Sequence, residues 1–295
     1  MSHSSSPVGA IASPAAGRVL AGVPEFTGRP RRWVRIAAPA LRASAAVWFA
    51  AAALGQLLFA LYVAVFYGRA VAQGQPETWN QVLQRGYVPG DRVGNVVLAA
   101  HLLFAVVVTA GGVLQLLPRL RTRWPRFHRW NGRIYVASGA VAGVGGLFLL
   151  WTRPQGGDLT QHLGISLDGV LILLFAALAW WHARRRRFDA HRRWALRLFL
   201  AMNAVWFFRI GLMLWLVLNQ GPVGFDPQTF TGPFLSFLAF AQYLLPLAVL
   251  ELYFRAQSSR DPRLQLAMAA VLLLATLATI VGSGAAAAVM WLPKL

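Results

Sequence analysis

The sequence contains no cysteine. Disulfides, thiolate metal sites, iron–sulfur clusters and covalently attached c-type haem are thereby excluded. Lysine is almost as scarce, occurring only at Lys294, and acidic residues number nine against 28 basic ones. His-Glu-x-x-His is missing, as is any Ser–His–Asp arrangement of the kind a hydrolase needs. Residues 1–30 are rich in Ser, Pro, Ala and Gly and lack a charged segment followed by an apolar run. They read as part of a flexible cytoplasmic tail, residues 1–35, rather than as a signal peptide.

What is abundant is apolar surface: 57% of the chain is hydrophobic. Stretches of about 20 apolar residues cross the hydrocarbon core as helices. Such stretches run over Ala43–Phe66, Val96–Leu117, Arg133–Thr152, Leu159–Trp181, Trp194–Leu218, Phe234–Phe254 and Leu264–Val289. The arginines fall between them in alternation. Counting connections, tail and C-terminus, 21 basic residues lie on one side and five (Arg69, Arg85, Arg92, Arg153 and Lys294) on the other. The basic side is the cytoplasmic one. The expected fold is therefore all-α: a polytopic membrane helical bundle of seven transmembrane helices, N-in/C-out, in residues 36–295, placed in a bacterial inner membrane. The net charge of +19 belongs to this topology and does not point to nucleic acid. Asp158 with Gln161 forms a capping box before the fourth span, Pro125 suits a first helical position, and Asp189 suits an N-cap before the fifth. No internal repeat and no broken helix is visible in the sequence, which weighs against a transporter.

Ionisable groups at membrane depth are costly unless paired. Asp168, 13 residues before Trp181, and Arg209, 15 residues after Trp194, both lie about 20 Å from the cytoplasmic ends of consecutive antiparallel spans. They are expected to pair, as are Arg197 and Glu251 nearer the inner end.

Histidine placement suggests chemistry. His101 and His162 lie near the outer ends of spans two and four; His128 and His191 open spans three and five on the inner side. Paired imidazoles on facing helices are what bis-histidine ligation of b-type haem requires. Gly112, Ser166 and Gly169 fall on the histidine faces, and Gly132, Gly139, Gly143 and Gly146 form a stripe on span three. The placement resembles that of the two-haem ascorbate-dependent ferrireductase cytochromes, which implies a transmembrane electron path.

The segment His101–Tyr135, HLLFAVVVTAGGVLQLLPRLRTRWPRFHRWNGRIY, carries a second resemblance. It is similar to a bacterial family of predicted membrane proteins known as domain of unknown function 2306, through His101, Gly111 or Gly112, Gln115, Arg119, Arg121, His128, Arg129, Gly132, Arg133 and Tyr135. His191, Arg192, Trp194, Arg197 and Arg209 resemble a second segment of that family. The similarity covers about residues 95–215, and LFLAMNAVWFF after Arg197 departs from the family's more Ser/Thr-rich run. Arg129, Arg133 and Arg192, at helix starts, make an anion site for a lipid headgroup or haem propionates.

The leading expectation is thus a redox membrane protein binding b-type haem, with membrane lipid and a quinone or redox partner as associates. The alternatives are a haem-free proton-coupled transporter and a non-catalytic lipid- or partner-binding membrane protein.

Overall fold

A computed structural model of the protein describes residues 32–153 and 156–295. Residues 1–31 of the expected tail lie outside them. The described chain is helical, with no strands and a single isolated bridge between Asp226 and Thr231. Its helices are α1 (Arg32–Ala72), α2 (Arg92–Leu116), α3 (Pro118–Arg123), α4 (Pro125–Thr152), α5 (Leu159–Arg184), α6 (Phe188–Met202), α7 (Ala204–Asn219), α8 (Pro233–Ser258) and α9 (Pro262–Ala286). Six of these are long and apolar enough to cross a membrane, and α6 with α7 makes a seventh if taken as one span.

Local sequence explains where the helices start. Asp91 accepts from Gly94 N (2.9 Å), Asp158 from Gln161 N (2.8 Å) and Asp261 from Arg263 N (2.9 Å), each relieving an amide that the first turn leaves without a partner. Proline occupies the first turn of α3, α4, α8 and α9, where its missing N–H costs nothing. Asp189 departs from expectation: the N-cap of α6 is Arg187, and Asp189 lies inside the first turn, complementing the helix dipole from there.

Seven helices close into a ring in the order α1, α2, α4, α5, α8, α7, α9, with α9 returning to α1. Hydrophobic burial does not drive helices together in lipid, so close approach depends on small residues. Gly164 of α5 meets Ala239 of α8, Gly112 of α2 meets Tyr135 and Phe199, Gly139 of α4 meets Met202, and Gly282 of α9 meets the backbone of Ile210 in α7. Where α1 and α9 join, Phe59, Tyr62, Phe66 and Tyr67 stack as an aromatic column that continues to Trp79 and Trp291. The outward surface is apolar, with Leu54, Leu274 and Val96 among its exposed side chains.

The stretch expected as the fifth span is not one straight helix. α6 and α7 meet at Asn203 with a bend of 53°. The bend changes the neighbours of the two halves: α6 lies chiefly on α5, whereas α7 leaves α5 for α9 and α8. Asn203 is almost wholly buried; its side-chain amide donates to Phe199 O (2.7 Å), and its carbonyl accepts from both Trp206 N and Phe207 N (3.0 Å each).

At the arginine-poor end a clamp joins three segments. The Arg153 guanidinium, 4% exposed, donates to Asp91 Oδ2 through Nε (2.8 Å) and Nη2 (2.6 Å), to Asn95 Oδ1 (2.8 Å) and to Gly86 O (3.3 Å). Asn95 in turn closes the preceding turn through Val88 N and O. The amide of Gly94 and the Arg153 guanidinium hold the Asp91 carboxyl below the usual carboxylate range.

Candidate functional site

Two polar regions lie in the bundle. The first is at the arginine-rich end, where α2 ends and α4 begins. Gln115, in the last turn of α2, donates to His128 O (3.2 Å) and lies 3.4 Å from His128 Nε2. Asn131, one turn on in α4, donates to Gln115 Oε1 (2.8 Å) and Gly111 O (2.9 Å). Gly132 makes room, since a Cβ there would stand 2.7 Å from Gln115 Nε2. His191 reaches back from α6 to bond Ala179 O through Nδ1 (2.9 Å).

These bonds assign the tautomers. His191 donates through Nδ1 to Ala179 O, and His128, accepting from Gln115 at Nε2, carries its proton on Nδ1. That His128 Nδ1 is buried without a partner. The two rings lie within electrostatic reach of each other and of Arg121 and Arg129. His128 and His191 thus stand at the same arginine-rich end of the bundle, each with a partner of its own in Gln115 and Ala179. Of the expected anion set, Arg129 lies by His128, Arg133 stacks on Trp130 (4.9 Å to the ring centre), and Arg192 projects exposed from α6.

The outer histidines are not brought together. The His101 Nδ1 bonds Ala142 O of α4 (3.0 Å), and its ring covers Gly146. His162 lies against Trp151, 5.8 Å between ring centres, at the α4–α5 contact. α4 packs against both α2 and α5 and stands between the two imidazoles. The glycine stripe expected to cradle haem is filled by side chains: Gln115 over Gly132, Met202 over Gly139, Ile172 and Leu173 by Gly143, and His101 over Gly146. Leu147 likewise covers Gly169. The residues do not fit the two stacked b-type haems that histidine spacing suggested. Glycine marks helix contact here, and depth along a span says nothing of which neighbour a side chain faces.

The ion pairs divide as well. Arg197 is joined to Glu251 at 2.7 Å and lies over the ring of Trp194. Asp168 and Arg209 are not joined. Arg209 donates to Val205 O of its own helix (3.1 Å) and lies over Phe59 of α1, 5.2 Å to the ring centre. Asp168 stays between α5 and α8. The cause is the bend at Asn203, which carries Arg209 with α7 away from α5.

A second set of polar groups lies at the bend and on α1, α7 and α9. Gln56 of α1, Asn203 and Trp206 are all at most 1% exposed. Neither amide atom of Gln56 has a hydrogen-bond partner, nor have Asn203 Oδ1, Trp206 Nε1 and Ser283 Oγ of α9. Ser283 and Trp206 converge on α1: a Cβ on Gly55 would lie 2.7 Å from Ser283 Oγ and 2.9 Å from the Trp206 ring. Each such group costs about 1–3 kcal/mol if left dry. Sequence reasoning missed this set of groups. Its signal was a lone amide inside each of two apolar runs, at Gln56 and Asn203.

A family model described as "Predicted membrane protein (DUF2306)" matches residues 98–245, from the first turns of α2 into α8. No curated protein and no solved structure matches the chain. The matched stretch contains His101, Gln115, His128, Asp168, His191, Asn203 and Tyr243; α1, which carries Gln56, and α9, which carries Ser283, lie outside it.

Proposed function

The chain belongs to the DUF2306 family of predicted membrane proteins, and from that premise we propose that it moves a small polar solute or ion across the membrane through the broken fifth span. One observation carries this reading. Near the middle of that span the helix is interrupted at buried Asn203, and Trp206, one turn past the break, converges with Ser283 of α9 on Gly55 of α1, beside Gln56. Asn203, Trp206, Ser283 and Gln56 all carry unpartnered polar atoms. Discontinuous helices that free polar groups at mid-membrane are how many transporters hold cargo. Backbone irregularity at that depth is tolerated where it lines a cavity or is buried in protein. The cluster around His128 and His191, rimmed by Arg121 and Arg129, supports an entry at the arginine-rich end that favours anions or headgroups.

Because the chain has no cysteine, single cysteines can be introduced without background. Asn203→Cys, Gln56→Cys and Ser283→Cys should each react with a membrane-impermeant methanethiosulfonate reagent applied to sealed vesicles, from at least one side. Leu274→Cys, on the lipid-facing surface (68% exposed), should stay unreacted. Equal protection at all four positions would sink the transport reading.

The charge asymmetry supports an N-in/C-out orientation in a plasma membrane, with 21 basic residues on one side and five on the other. A C-terminal alkaline phosphatase fusion is expected to be active and a C-terminal fluorescent-protein fusion dark. A dark phosphatase and a bright fluorescent fusion would reverse the assignment.

A further inference from the structure

Asp168 is a carboxyl buried in the membrane region, nine residues into α5, and 8% exposed. Its Oδ1 has no hydrogen-bond partner. Gly164, one turn earlier, lets α8 approach so closely that a Cβ would stand 3.2 Å from Ala239. One turn further on, Tyr243 of α8 comes within electrostatic reach of Asp168. Tyr243 is fully buried, and its hydroxyl is also without a partner. Two unpartnered polar groups thus face the same helix contact.

The other charged groups on the packed helices lie further along. Arg197 and Glu251 are joined about two turns beyond Tyr243, and His191 bonds Ala179 about three turns beyond Asp168. From α4 the neighbour at Gly169 is Leu147, which is apolar. Neither ion pair among the described residues includes Asp168.

We propose that Asp168 is a proton-carrying site, and that the Tyr243 hydroxyl donates to its carboxylate when the proton leaves. A lone carboxylate in hydrocarbon is costly; a proton removes the charge without further ligands. A metal cation fits less well, because hard cations take several oxygen ligands and here one carboxyl and one phenol converge. The proposal deepens the transport reading by naming the coupling ion, and rests on that reading for its role in coupling. The site itself is tested separately.

The test is labelling of the full-length protein in membranes with dicyclohexylcarbodiimide. A protonated carboxyl gives its proton to a carbodiimide nitrogen while a carboxyl oxygen adds to the central carbon. An O-to-N acyl shift then leaves a stable N-acylurea, so the peptide gains the mass of one reagent. The Asp168 peptide should acquire that adduct, in a yield that falls as pH rises. Asp168→Asn should accumulate in the membrane like wild type, because the amide replaces a neutral acid, and should lose the adduct. Tyr243→Phe should keep the adduct to higher pH, because the carboxylate has lost its donor. Absence of the adduct at every pH in folded protein would overturn the proposal. So would protection by sodium ions at constant pH, which would make the site a cation site. Neither result depends on whether the cysteines at Asn203, Gln56 and Ser283 react, so failure here is distinguishable from failure of the transport reading.

Discussion

Gly282→Ala is expected to remove most folded protein, with a loss of at least about 3 kcal/mol from overpacking. The reason is the partner. A Cβ at Gly282 runs into the carbonyl oxygen of Ile210, and a backbone atom inside a helix cannot step aside without moving α7. Alanine is the better helix former by about 1 kcal/mol, so a loss here can only come from packing. Gly139→Ala is the control. There the added methyl meets the end of the Met202 side chain, which has free torsions and can turn away. That variant should stay within about 1 kcal/mol of wild type. Thermal unfolding of both variants in detergent, followed by intrinsic tryptophan fluorescence, decides the matter. Equal behaviour would mean that α7 and α9 do not approach as closely as described.

The clamp at Arg153 should give the next largest effect. Arg153→Ala removes a buried guanidinium that ties α2, α4 and the preceding loop together, at a cost of about 3 kcal/mol. Asp91→Ala should be worse, since it strands that guanidinium and also uncaps α2. Both variants are checked by melting temperature and by the fraction of monodisperse protein after extraction. An acid titration gives an independent reading. The Asp91 carboxyl is held low in the folded protein, as is that of Asp158, chiefly through the amide of Gln161. A depressed folded value means that the unfolded chain binds more protons just below its own value of about 4. The contribution is therefore complete above about pH 4 and disappears as pH falls through the folded value. Asp91→Asn should flatten that acid limb. An unchanged limb would show that the caps do not set it.

Six of the seven expected spans were legible as single long helices, because hydropathy is a property of single segments, and the seventh falls on the bent pair α6 and α7. The caps at Asp158 and Pro125 were legible for the same reason: the groups they satisfy lie within a few residues. What failed were statements about which helix faces which. His101 and His162 share a depth but have α4 between them; Asp168 and Arg209 share a depth but follow different halves of a bent span. Equal depth was also expected of Arg197 and Glu251, and those two do meet, because α6 ahead of the bend packs on α8 as well as on α5. The Asp91–Arg153 clamp links positions 62 residues apart, and no local pattern announces it. The glycines were read as room for a cofactor when each was room for a neighbour's side chain. The bend itself had a faint signal in Asn203, the one amide in LFLAMNAVWFF.

The pairing of α1 with α9, the most extensive helix contact of the bundle, bears on the order in which the protein can be made. α1 leaves the ribosome before the other described helices, and its partner α9 after them. Until α9 is inserted, the face of α1 that α9 will cover, Gly55 opposite Ser283 included, has only lipid, translocon or chaperone against it, while other faces already meet Trp79 and α2. The helices between them, α2 to α8, can associate with neighbours as they emerge. α1 can meet α2 in this way, but its α9 face must wait. A ribosome stalled before α9 would thus leave a nascent chain with an open flank, and membrane quality control would meet that flank first.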